Sequence, residues 1–225
     1  YGYGTYDNVI TGLVLERFLN TSGPTGGHFI RPSDGKIPKK IAFVQCVGSR
    51  DIKINNIYCS RVCCMYAIKE ATLIKERIPD AEITIFYMDI QAYGKFFEEF
   101  YKKAEKEISI KFIKGRVSQI VEDSITKNLI INAINIETNE IIREEMDIVV
   151  LSTGLVPSAE RIGGGIIPIA DDKFFSNRDP LIDSVSTLID GIFVAGTAEG
   201  PKDIHDTIIQ ANAAAMKASL ILIKD

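Results

Sequence analysis

Residues Pro38 to Ala71 read "PKKIAFVQCVGSRDIKINNIYCSRVCCMYAIKEA". A basic lead, Lys39 and Lys40, runs into an apolar, β-leaning stretch that ends at Cys46, the pattern of a strand buried on both faces of a parallel sheet. From Ser60 to about Ile78 the spacing turns helical. Cys64, Ala67, Ile68, Ala71, Ile74 and Ile78 fall three or four apart, while Glu70, Lys75, Glu76 and Arg77 take other faces. In a dinucleotide-binding βαβ unit the turn between such a strand and helix is G-x-G-x-x-G, because glycines let the backbone and a pyrophosphate meet at the helix N-terminus. Here Gly48 stands alone in a loop longer than the ~2–6 residues usual for this connection. The triad is absent from the whole chain. The phosphate pocket is read as given over to something else, and bound NAD is not expected.

Working outward, "AEITIFYMD" reads as a second strand, "GKFFEEFYKKAEKE" as an amphipathic helix and "ISIKFIKG" as a third strand. This alternation implies right-handed crossovers in a doubly wound α/β sheet. From Val117 to Arg143 the period changes: "VSQIVED", "NLIINAINIE" and "EIIREE" predict a small antiparallel β meander. "MDIVVLSTGLVP" is another buried strand, and "ERIGGGIIP" and "DDKFFSNRDP" are irregular. "DGIFVAGTAEGPKDIHDTIIQANAAAMKASLILI" predicts a last strand, a Gly-containing loop and a long Ala-rich helix from about Thr207.

Composition bounds the function. At 225 residues with 25% charged content the chain is globular material for one large or two small domains. A net charge of −4, with no basic cluster interleaved with aromatics, argues against nucleic acid. No apolar run reaches the ~20 residues of a membrane span and no secretory leader is seen, so the reading is cytoplasmic, without direct membrane insertion. The chain opens at Tyr1 with the turn-like "YGYGTYDN", which reads as a cut from a longer parent.

All four cysteines, Cys46, Cys59, Cys63 and Cys64, lie in one window, spaced C-x12-C-x3-C-C. Cys46 is expected at the carboxyl end of the strand and the others at the start of the helix. Cys59 and Cys63, four apart, are expected to share a helix face, with Cys64 turned by ~100°. A helix N-terminus carries about half a positive charge and favours anions such as a thiolate-ligated centre. Four thiolates suit an iron–sulfur cluster or structural zinc. Four unligated thiols are a third possibility, and the spacing matches no common ferredoxin run. His28 and His205 lack ligand-spaced partners and read as structural or surface residues.

With these residues in view, the chain resembles the heterodisulfide reductase A-subunit family, iron–sulfur flavoproteins of methanogens with relatives in other anaerobes. The resemblance is carried by "YGYGTYDNVIT", "SGPTGG", "RPSDGK", "IAFVQCVGSRD", "YCSRVCCMYAIKEA", "TIFYMDIQAYGK", "VVLSTGLVPS" and "IFVAGTAEGPKDIHDTIIQA". It implies a Rossmann-like, FAD/NAD(P)-binding, thioredoxin-reductase-like fold and identifies this chain as a carboxyl-side portion. Residues 38–155 would form the nicotinamide-domain-like module with the iron–sulfur site. Residues 1–37 and 156–225 would be part of a FAD-binding domain whose upstream half is missing.

The same resemblance implies two cofactors. Cys46, Cys59, Cys63 and Cys64 would ligate a 4Fe-4S cluster. FAD would meet Gly196, Thr197, Gly200, Pro201, Lys202, Asp203, Ile204 and Thr207, with Thr153 and Gly154 approaching from the interdomain side. Lys202 is the candidate neighbour of the flavin N5, since an ammonium and a helix N-terminus both stabilise negative charge on a reduced flavin. Glu16 and Lys69 are candidates for a polar network between flavin and cluster. Two positions depart from the pattern: Thr197 replaces the aspartate usual after "AG", and His205 stands where proline is expected.

The implied activity is flavin-based electron bifurcation between ferredoxin and the CoM–CoB heterodisulfide. The implied partners are other heterodisulfide reductase subunits, a hydrogenase or formate dehydrogenase, and ferredoxin, in an oligomer. A related subunit serving a quinone-interacting oxidoreductase and a non-enzymatic structural-zinc module are the alternatives.

Overall fold

The computed structural model describes residues 1–159 and 165–223. Residues 160–164, inside the stretch expected to be irregular, lie outside the described residues. Within the first of two compact units, residues 1–47 and 63–153, the elements are β1 (Val9–Thr11), α1 (Gly12–Leu19), β2 (Lys40–Val47), α2 (Cys63–Arg77), β3 (Glu82–Tyr87), α3 (Phe97–Lys106), β4 (Lys111–Glu122), β5 (Leu129–Asn135), β6 (Ile141–Met146) and β7 (Ile148–Thr153). Among the described residues these strands form one sheet in the order β1-β7-β2-β3-β4-β5-β6. β1, β7, β2, β3 and the start of β4 run parallel. β4, β5 and β6 are antiparallel.

Strand alternation sorts the core onto two faces. Ile41 and Phe43 of β2 face α1, α2 and α3, packing with Leu15, Ile68, Ile74 and Ala104. Ala42 and Val44 face the other way, onto Val117, Leu129 and Ile131 of the meander. The expected meander is present with one difference: "ISIKFIKG" and "VSQIVED" belong to a single twelve-residue strand. β4 leaves β3 after Lys114 and joins β5 from Gly115 onward. Gly115 permits the change of partner, because a Cβ there would lie 2.1 Å from the Ile134 carbonyl oxygen.

The opening residues carry two elements that hydrophobic spacing did not announce. β1 pairs with β7 over three residues. The Thr11 hydroxyl accepts from the Val14 amide at 3.3 Å and caps α1.

The second unit comprises residues 48–62 and 154–225. Its regular elements among the described residues are two 3₁₀ turns, Ile52–Ile54 and Gly196–Ala198, and the helix α4, Ile204–Leu222. The strand expected in "GIFVAG" is reduced to a bridge between Ser186 and Phe193. Its pairing is confined to the short segment Val185–Thr187, through Val194 N to Val185 O at 2.8 Å and Thr187 N to Ile192 O at 3.1 Å, too little for a regular strand. The long helix starts at Ile204, three residues before the expected Thr207, because the Asp203 carboxylate accepts from the Asp206 amide at 2.9 Å and caps it there.

Candidate functional site

In the first unit, β2 ends in an irregularity. Its pairing with β7 shifts register between Val44 and Val47, and within that shift Cys46 adopts a left-handed backbone with φ 61°. A non-glycine residue there is sparsely populated and persists only where its surroundings hold it, a pattern concentrated at functional sites. α2 begins at Cys63, so Cys63 and Cys64 occupy its first turn, 6% and 5% exposed. Cys63 Sγ points at the Thr153 carbonyl and Cys64 Sγ at the Asp89 carbonyl, each at 3.7 Å. The partial positive charge at a helix N-terminus favours an anionic centre at this position.

Cys59 lies in the second unit and corrects an expectation. It is not on the helix with Cys63: Arg61 is left-handed with φ 63°, and the Val62 amide bonds back to the Ser60 carbonyl, so the chain turns sharply before α2 begins. The Arg61 amide donates to Cys59 Sγ at 3.3 Å. Arg61 also ties its loop to α4 of the same unit, through Pro201 O and an ion pair to Asp206 at 2.9 Å. None of the four thiols is in a disulfide. Among the described residues, no three His, Cys, Asp or Glu side chains are drawn together as a metal-ion site. Within the first unit, three sulfurs, at a strand end and a helix start, are donors of the type that an iron–sulfur cluster takes.

Gly154 opens the second unit's main segment. A Cβ on it would meet Ser49 Oγ at 2.0 Å and Ser60 Oγ at 2.3 Å, and those two hydroxyls hydrogen-bond each other at 2.5 Å. Thr153, in the first unit, uses its carbonyl to accept the Tyr66 hydroxyl at 2.9 Å.

Glu16 and Lys69, chosen separately from the sequence, are brought together as an ion pair between α1 and α2. Beside them stands a residue that the sequence reading set on another face than the apolar stripe. Glu70 is 2% exposed. Burial pushes its carboxyl up to about 8, against the pull of Lys69 and with the help of Glu16. Tyr66, one turn earlier, is also raised, by burial first and then by Cys63 and Glu70.

In the loop proposed for the flavin, the Lys202 ammonium is 8% exposed and donates to Gly196 O at 2.8 Å, Glu199 Oε2 at 2.6 Å and Gly200 O at 3.0 Å. All three of its N–H donors are engaged within the loop. Gly196 is left-handed with φ 64°, and its amide donates to Gln210 Oε1 at 2.7 Å. Thr207 Oγ1 donates to the Asp203 carbonyl at 2.7 Å. Thr197 and Ile204 are exposed, while Pro201 and Asp203 are half-buried. His28 and His205 are both exposed. Sequence reasoning missed Glu70, Tyr66, Arg61 and Gln210, whose positions depend on contacts between elements rather than on spacing.

A parallel sheet with an antiparallel extension, covered by helices on one face, is a thioredoxin-reductase-like α/β fold. The solved thioredoxin reductase of Lactococcus lactis matches with a TM-score of 0.53 at 20% identity, over 83% of this chain and 52% of that one. That likeness shows the fold. No family model matches the chain. A Methanopyrus kandleri protein, named as the second iron-sulfur A-subunit of CoB–CoM heterodisulfide reductase, is 52% identical over 225 residues, 99% of this chain. A Methanococcus maripaludis protein, named as the A-subunit of an H(2)/formate:CoB-CoM heterodisulfide,ferredoxin reductase, is 50% identical over 225 residues, 98% of this chain. The chain belongs to this heterodisulfide reductase A-subunit family, and it spans 34% of the length of each of these two relatives.

Proposed function

We propose that the chain is the electron-transferring iron–sulfur flavoprotein portion of a heterodisulfide reductase, an oxidoreductase subunit that does not act alone. The observation that carries this is the thiol set. Two buried cysteines fill the first turn of α2, where the pyrophosphate amides of a dinucleotide fold would lie, and a left-handed cysteine ends β2. Cys46, Cys59, Cys63 and Cys64 would hold a 4Fe-4S cluster. The positive end of the α2 dipole lies at Cys63 and Cys64, where an anionic centre would be favoured, and the Arg61 amide donates to Cys59 Sγ. The relatives' names, which carry the words "iron-sulfur" and "ferredoxin reductase", point the same way.

FAD would be held in part by residues 1–37 and 156–225, with Gly196, Thr197, Gly200, Pro201, Asp203, Ile204, Thr207, Thr153 and Gly154 as contacts. Lys202 would set a positive charge beside the N5 edge while clasping its own loop. Glu16 and Lys69 would form the polar link between flavin and cluster. When bound, these two groups supply the exchange between two-electron and one-electron transfer. In the complex, each electron pair drawn from hydrogen or formate through partner subunits is divided between ferredoxin and the CoM–CoB heterodisulfide. No helix among the described residues is long and apolar enough to cross a membrane.

The test is Cys63→Ala in the intact complex, read by visible and electron paramagnetic resonance spectra before and after reduction. Loss of one cluster signal supports the assignment. Spectra identical to those of the unaltered complex refute it.

A further inference from the structure

Glu70 is the most deeply buried carboxyl in the α1–α2 layer, and its Oε2 has no hydrogen-bond partner among the described residues. Room for it is made by the chain opposite. A Cβ on Gly12 would lie 3.4 Å from Glu70 Oε2 and 2.8 Å from the Tyr66 ring. The titratable groups that act on Glu70 are Lys69 of α2, the neighbouring carboxyl of Glu16 on α1, and the Tyr66 phenol one turn earlier. On the sheet face beneath α2, β2 contributes Gln45 and β7 contributes Ser152. Both are uncharged, and both carry buried side-chain polar atoms without hydrogen-bond partners. α3 packs with Phe100, Tyr101 and Ala104.

Two carboxyl groups joined by a hydrogen bond hold a proton between them, because two carboxylates in contact repel. The Lys69 ammonium is paired with Glu16, whereas Glu70 is buried. The proton is left to the buried partner.

We propose that Glu70 is a proton-binding site: it holds one proton as a neutral acid, donates it to the Glu16 carboxylate, and exchanges it with water through Glu16, whose side chain is 48% exposed. On release, the proton passes from the Glu70 carboxyl to the Glu16 carboxylate and then to solvent. Glu70 is left as a carboxylate near the Lys69 ammonium, and no oxidant or reductant is consumed. The tendency of the burial-raised carboxyl to keep its proton until about pH 8 agrees with this assignment.

One consequence rests on the electron-transfer reading. Glu70 is seven residues beyond Cys63, about 10 Å along α2. One negative charge added at the helix start would raise the Glu70 midpoint by about one pH unit at an effective dielectric of ~20. Electron arrival would then draw a proton onto Glu70.

The test is infrared spectroscopy of the intact complex in H2O and D2O, titrated from pH 6 to about 10. A protonated carboxylic acid band that shifts in D2O, disappears with a midpoint near neutral or mildly alkaline pH, and is missing in Glu70→Gln is expected. A spectrum in which Glu70→Gln removes no such band overturns the site. Glu16→Gln, an exposed position, gives a second arm should Glu70→Gln fail to fold: the band's midpoint should fall, and an unmoved midpoint overturns the shared-proton geometry. Repeating the titration after chemical reduction tests the consequence. An upward shift supports the coupling, and no shift in a complex whose cluster spectrum has changed overturns it. Absence of any reducible cluster would refute the electron-transfer reading and leave the proton titration standing.

Discussion

A methyl group on Gly154 would stand 2.3 Å from the Ser60 hydroxyl. That hydroxyl accepts the Leu155 amide at 2.9 Å and shares a hydrogen bond with Ser49, so the position has a packing reason to be glycine quite apart from any flavin. Gly154→Ala must move at least one of two buried serines. Overpacking of this kind costs about 1–3 kcal/mol. Chemical denaturation of the Gly154→Ala protein should show a loss in that range, and Gly154→Ala with both Ser49→Gly and Ser60→Gly should recover part of it.

Glu70 sets a pH signature of the opposite sign to the usual surface carboxylate. Its value is raised from 4.5 to about 8, so between those limits the folded chain holds a proton that the unfolded chain has released. Stability therefore falls as pH rises through that window and levels off above it. Glu70→Gln removes the slope, and its stability relative to the unaltered protein should grow with pH by roughly 5 kcal/mol at most. Parallel denaturation curves for the two proteins across pH 5 to about 8 check this; a constant difference would contradict it.

The Glu16–Lys69 pair is nearly half exposed on both sides. Such pairs contribute about 0–1 kcal/mol. Lys69→Ala should leave stability within that margin, while the rate of electron transfer through the assembled complex should fall. A large drop in stability would make the pair structural rather than part of the proposed polar link.

Lys202 is expected to behave otherwise. Its ammonium is buried against Glu199 and two carbonyls, and removing one partner of a buried pair leaves the other charge uncompensated. Lys202→Met should destabilise by about 3 kcal/mol, and Lys202→Arg should not restore it, since a planar fork cannot reproduce three donors converging on one small turn. Flavin content measured beside stability separates the loop-clasping role from direct contact.

Much of the first unit was legible because its signals are local. Continuous apolar runs gave β2, β3 and β7, three-and-four spacing gave α2 and α3, and turns such as Asp123–Asn128 marked the meander. The parts that escaped depend on distant contacts. Glu70, three residues after Ala67 and four before Ile74, borders the apolar stripe, and its charge hid from the sequence reading that it is buried. α1 itself follows a three-residue strand too short to show a period. Cys59 was placed on a helix because spacing cannot reveal that Arg61 is left-handed. The grouping of four cysteines in one short window is plain in the sequence, whereas Lys202 gave no sign that its own loop would occupy all its donors.

The central claim is that Cys46, Cys59, Cys63 and Cys64 hold an iron–sulfur cluster, and metal and acid-labile sulfide analysis of the anaerobically purified chain tests it most directly. About four irons and four sulfides per chain are predicted, with a visible chromophore that Cys63→Ala abolishes. Stoichiometric zinc without a chromophore, or thiols that bind no metal at all, would contradict it.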